Sequence, residues 1–157
     1  MQKDLFTQCE MFNSNLAEIE IIYKPRFKMS ELPKVVTSSD AYGVLKYTFP
    51  SLEYREFFYI LCLNRNNMVL GYCQISSGGI SGTVIDVRTI MQTALKSHAS
   101  SLILAHNHPS GNLTPSEADK EITRKIQTAG KTLDIPVLDH LIITSESYFS
   151  FADEGLM

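Results

Sequence analysis

The chain has 157 residues, 44% of them hydrophobic and 20% charged, with a formal net charge of −3. That length suits one domain around one core, and that balance suits a globular chain. The negative charge is no footprint for nucleic acid, so a DNA or RNA partner gains no support from it, and no apolar run approaches the roughly 18–20 residues of a membrane span.

Residues 1–37 read as an N-terminal arm. Residues 1–16 are polar and weakly patterned, residues 17–23 (AEIEIIY) alternate like a strand, and the two prolines of PRFKMSELPKV mark a connector. The MQKDLFTQCE terminus has no basic segment leading into an apolar run, so it is no secretory signal. Cys9, Cys62 and Cys73 make an odd count without a C-x-x-C pair, which suits a reducing compartment. A cytoplasmic location is expected.

Residues 38–157 read as the folded domain. Ser38-Ser39-Asp40 offers N-cap chemistry ahead of a helix over AYGVLKYTF. EFFYILCL (56–63) and MVLGYCQI (68–75) flank the polar link Asn64–Asn67, the pattern of a hairpin. SSGGISG is a loop; no Gly-Lys-Ser/Thr follows, so it is not a phosphate loop. Residues 86–98 form a helix with Val87, Ile90, Met91, Ala94 and Leu95 on its apolar face and Asp86 at its start. Residues 101–106 return to strand. Thr114 and Glu117 make a T-x-x-E capping box with Pro115 at the first helical position, for a helix running to about Gly130. PVLDHLIIT and SYFSFAD close the chain as strands. The fold class expected is α/β (α+β), a mixed sheet packed by helices.

The strand over 101–106 runs into His106-Asn107-His108-Pro109. Side chains alternate along a strand, so His106 and His108 share a side, about 6.5 Å apart at the usual rise. Pro109 disfavours helix at His108 and keeps it extended. Asp119 stands three residues before Ile122 and seven before Ile126, on the apolar stripe of the following helix. A carboxylate there is costly unless a cation compensates it. Two imidazoles and one carboxylate with a position left for water is a catalytic zinc pattern, and it also suits non-haem iron. His98 reads as a polar helix end. His140, inside an apolar strand, reads as a structural or supporting residue ahead of a direct ligand. Glu56 opens a strand and is the candidate base, with Glu53 as competitor; Ser116 lies one turn before Asp119 and can face the same cation.

HNHPSGNLTPSEAD resembles the signature of JAB/MPN metalloenzymes: H-x-H, seven residues, Ser, two residues, Asp. LILAHNHPSG, PSEAD, VLDHLII and SYFSFADEGL resemble the RadC-type branch, and the likeness runs from about Ser38 to Met157. It implies a curved mixed sheet flanked by helices, related to the cytidine-deaminase fold. It implies zinc on His106, His108 and Asp119, with Glu56 and Ser116 as catalytic residues. It implies hydrolysis of peptide or isopeptide bonds by metal-activated water. RadC-type proteins commonly carry a helix-hairpin-helix region ahead of this domain; residues 1–37 are too short for one, so the DNA-repair label gains nothing here. Asn107 stands where deubiquitinating members have Ser or Thr. The alternative from another class is a non-catalytic, metal-stabilised binding module. A nucleobase deaminase is set aside because H-x-E and P-C-x-x-C are both missing. Exposed edge strands leave a homodimer open.

Overall fold

All seven residues of β1 (Phe57–Leu63) are buried. An uninterrupted apolar run of this kind needs cover on both faces, and the computed structural model, which describes residues 27–78 and 85–157, provides it. β1 lies inside an open five-stranded sheet of order β2-β1-β3-β4-β5, with β2 at Val69–Ser77, β3 at Ser101–Asn107, β4 at Val137–Ile143 and β5 at Tyr148–Ser150. β1 is antiparallel to both β2 and β3, β3 is parallel to β4, and β4 is antiparallel to β5, so the sheet is mixed as expected. The helices are α1 (Ser38–Leu45), α2 (Val87–Lys96) and α3 (Glu117–Thr132). The expected strand over 17–23, the arm before it and the glycines of the 76–82 loop beyond Gly78 lie outside the described residues.

Strand alternation divides the core into two layers. Odd-numbered residues of β1 and β3, such as Leu61 and Ile103, pack with Ala41 and Leu45 of α1. Even-numbered ones, such as Phe58, Ile60, Leu102 and Leu104, pack with Ile90 and Met91 of α2 and Ile126 of α3. His106 therefore faces the α2/α3 layer, and Asn107 the α1 layer. Cys62 is buried in β1 and Cys73 half-buried in β2, both as free thiols. Among the described residues no helix is long and apolar enough to cross a membrane.

Several element ends differ from the sequence reading. α1 is capped by Thr37, whose side chain accepts from the Asp40 N–H, while Asp40 accepts in return from the Thr37 N–H; Asp40 is the third helical residue and not the cap. α3 starts at Glu117 with Ser116 as its cap, two residues later than the Thr114 box placed it. Thr114 is engaged elsewhere, its N–H donating to the Asn112 side chain at 2.9 Å. Leu95 is 50% exposed, so it drops out of the α2 core face. Gly130 does not end α3 but lies inside it.

The Gly130 backbone passes against the start of β4, where a Cβ would strike the Ile135 carbonyl oxygen. The Gly130 carbonyl itself accepts from Leu133 and Ile135. Backbone cannot yield as a side-chain tip does. Gly130→Ala is therefore expected to destabilise the chain by about 1–3 kcal/mol, the usual cost of overpacking. Urea unfolding monitored by circular dichroism measures it; an unchanged midpoint would mean the contact relaxes freely.

Candidate metal centre

His106 is the penultimate residue of β3, and His108 follows the strand's end with its N–H bonded to the Ile143 carbonyl at 3.1 Å. Asp119 sits in the first turn of α3. The three side chains converge. His106 Nε2 lies 2.9 Å from His108 Nε2 and 3.3 Å from Asp119 Oδ1, and His108 Nε2 lies 3.7 Å from Asp119 Oδ2. Zinc with bonds of about 2.0–2.1 Å spaces tetrahedral donors about 3.3 Å apart, and the three separations bracket that value. The described residues offer this one group of three or more His, Cys, Asp or Glu side chains able to share an ion.

Hydrogen bonds further out decide which ring nitrogens carry protons. Thr123 Oγ1 donates to the Asp119 carbonyl at 2.5 Å, since a carbonyl can only accept. Its single proton spent, Thr123 accepts from His140 Nδ1 at 2.6 Å. Burial, reinforced by His106, pushes the His140 pKa well below its ordinary value, so this ring is uncharged and its Nε2 is a bare acceptor. That nitrogen takes the proton of His106 Nδ1 at 2.8 Å. His108 Nδ1 donates to the Asn112 carbonyl at 2.6 Å. With its Nδ1 proton engaged, each ligand ring turns its Nε2 to the other ring and to a carboxylate. Such a group repels itself unless a cation sits among its members. Hydrogen bonding to the Asp119 carboxylate raises the His108 pKa against the effect of burial. Burial would raise the Asp119 pKa, but the protonated forms of His106 and His108, which donate to the carboxylate and carry opposite charge, together with the Ser116 hydroxyl outweigh it and hold the carboxyl far below the usual range. These donors fit a divalent cation taking nitrogen and oxygen ligands.

Asp119 is held for this task by its own helix. Oδ2 accepts from the Ser116 N–H at 2.7 Å and the Ser116 hydroxyl at 2.6 Å, and Ser116 Oγ accepts from the Asp119 N–H at 3.1 Å. Oδ1 remains turned to His106.

Glu56 and Ser116 line the same cleft of about 520 Å³ as His106, His108 and Asp119. Glu53 is exposed and does not line it. His98 lies by the hairpin link and the start of β3, at the other end of that strand, in a left-handed conformation with φ 56°. His140 supports His106 directly. Thr123 escaped the sequence reading. Its signal was a polar residue four positions after Asp119 on the buried stripe, but a threonine there usually just bonds its own helix.

A family model described as a RadC-like JAB domain matches residues 35–156. The chain belongs to the RadC-like JAB domain family. This RadC-like chain is 49% identical over 126 residues to a UPF0758 protein of Flavobacterium johnsoniae, covering 80% of itself and 55% of that relative. It is 40% identical over 136 residues to a UPF0758 protein of Porphyromonas gingivalis, covering 84% and 60%. It is also 43% identical over 113 residues to UPF0758 protein YfjY of Escherichia coli, covering 72% and 70%. The RadC-like chain thus spans 55–60% of the Flavobacterium and Porphyromonas proteins.

Proposed function

We propose that the chain is a zinc-dependent hydrolase of peptide or isopeptide bonds, with His106, His108 and Asp119 as ligands. The observation that carries the reading is the pair of lone pairs and the carboxylate aimed at one point, inside a cleft that also holds Glu56. When bound there, zinc supplies Lewis acidity and lowers the pKa of a coordinated water from 15.7 to about 7. Glu56 would accept a proton from the attacking water as the water oxygen bonds to the scissile carbonyl carbon. Glu56 then passes that proton to the nitrogen as the carbon–nitrogen bond breaks, so the amine leaves neutral. Ser116 supplies a hydroxyl at the cleft wall. In this structure it donates to Asp119, and in the reaction it turns to the carbonyl oxygen as negative charge develops there.

A panel of peptide and isopeptide substrates tests the proposal. Turnover is expected to vanish with chelator and return with zinc. Glu56→Gln is expected to keep zinc and lose about 10²–10⁴-fold in kcat/KM, the usual worth of a positioned general base. Absence of turnover above the Glu56→Gln background across the panel would sink the hydrolase and leave a metal-stabilised binding module. Full activity in Glu56→Gln, with chelator still abolishing it, would move the base elsewhere.

A further inference from the structure

Asn107 stands between two ligand histidines, yet its side chain points to the other face of the sheet and is fully buried, at 0% exposure. Among the described residues, all the hydrogen bonds of its carboxamide go to one short segment. Oδ1 accepts from the Phe57 N–H at 2.8 Å, and Nδ2 donates to the Leu52 carbonyl at 3.1 Å and the Arg55 carbonyl at 2.9 Å. The residues from Ser51 to Glu56 form a bend without strand pairing. That bend carries Glu56, whose two chain neighbours are both bonded to Asn107. The Glu56 carbonyl is held from another side by the Gly78 N–H at 2.8 Å.

The fit is specific to a carboxamide, which presents one acceptor and two donors in a plane. Aspartate would keep the acceptor for Phe57, lose both donors and set its charge against two carbonyl oxygens. A serine or threonine hydroxyl has a single donor and a shorter reach. We propose that Asn107 is the positioning residue for Glu56, tying the strand that carries the metal ligands to the bend that carries the base. The proposal rests on the hydrolase reading for its kinetic consequence, since a misplacement of about 1 Å costs on the order of 10²-fold in rate. Its structural content stands apart from that reading, because the ligand rings face the opposite side of the sheet.

The test compares wild type with Asn107→Asp, using zinc as the binding probe. Zinc affinity is expected to stay within about threefold, because the carboxamide touches no ligand. The Phe57 amide is expected to exchange with solvent faster by at least about tenfold, because losing the two donors to the Leu52 and Arg55 carbonyls loosens the bend although an acceptor for Phe57 remains. On any substrate that wild type turns over, kcat is expected to fall about 10²-fold with KM little changed. In a Glu56→Gln background the same Asn107→Asp change is expected to cost less than about threefold, as for residues acting as one unit. A full 10²-fold loss in that background, an unchanged Phe57 exchange rate, or loss of zinc in Asn107→Asp would overturn the proposal. Should Asn107→Asp fail to fold, the wild-type chain still decides: its Asn107 side-chain amide protons exchange slowly if they are clamped, and at solvent rates if they are not. A wild type that hydrolyses nothing would remove the hydrolase reading, while the exchange and zinc measurements would still judge the clamp.

Discussion

Asp119→Ala is expected to abolish stoichiometric zinc binding and to weaken the start of α3 at the same time. The carboxylate serves both ends: Oδ1 faces His106, while Oδ2 accepts from the Ser116 N–H and hydroxyl. Alanine removes the ligand and leaves the Ser116 N–H to water. Ser116 still caps the helix through the Asp119 N–H, so only the reciprocal half of the box is lost. The cost to the metal-free fold should therefore be about 0.5–1 kcal/mol, the lower part of the range for a lost cap. Asp119→Asn separates the two duties. Its amide oxygen still accepts at the cap, so metal-free stability should change little, yet the charge that pairs with the cation is gone. Zinc affinity should fall by more than the roughly 10–100-fold that an outer-shell loss costs. Metal analysis after dialysis and thermal unfolding in chelator read the two effects. One tightly held zinc per Asp119→Ala chain would exclude the carboxylate as a ligand.

The parts of this site that sequence periodicity exposes are those where one element settles the geometry. Strand alternation puts His106 and His108 on one side, and the 3.6-residue repeat puts Asp119 on the stripe with Ile126. Periodicity leaves Glu56 and Glu53 both open as the base; only the folded chain shows that Glu56 lines the cleft and Glu53 does not. The cap of α3 was not legible. T-P-S-E and S-E-A-D overlap and both satisfy the box, and tertiary structure chooses Ser116. Asn112 takes the Thr114 N–H, while the Asp119 carboxylate must reach the histidines. The partners of Asn107 and His140 were not legible either, although His140 read as a supporting residue, because each acts across strands. Asn107 reaches a bend some 50 residues earlier in the chain. His140 meets His106 because β4 runs parallel to β3 with Leu104 opposite His140 and His106 opposite Ile142, a register no local pattern encodes.

The second large effect should come from residues that never touch the ion. His140 is wholly buried between Phe151, stacked on it at 4.7 Å, and Phe58 at 5.5 Å. His140→Phe keeps a flat aromatic ring, one heavy atom larger, and removes both hydrogen bonds. The His106 Nδ1 proton is then buried without an acceptor, which costs about 1–3 kcal/mol unless the ring turns or moves its proton to Nε2. Either escape removes the lone pair from the metal. Zinc affinity should fall roughly 10–100-fold, as for other outer-shell partners of a ligand histidine. Thr123→Val acts one step further out. Without the hydroxyl, His140 no longer gains by protonating Nδ1 and is free to carry its proton on Nε2. It then donates towards His106 Nδ1, which must give up its own proton to Nε2, the atom that has to be bare. The loss should be smaller than for His140→Phe but of the same sign. Nitrogen-15 NMR of the imidazoles distinguishes this from a packing defect. Metal-free wild type should show His106 protonated on Nδ1, and Thr123→Val should shift that population towards Nε2. If zinc affinity drops in Thr123→Val while the His106 tautomer stays put, the threonine acts through packing and the chain of hydrogen bonds does not set the ligand. If neither variant alters affinity, His140 is only a core residue.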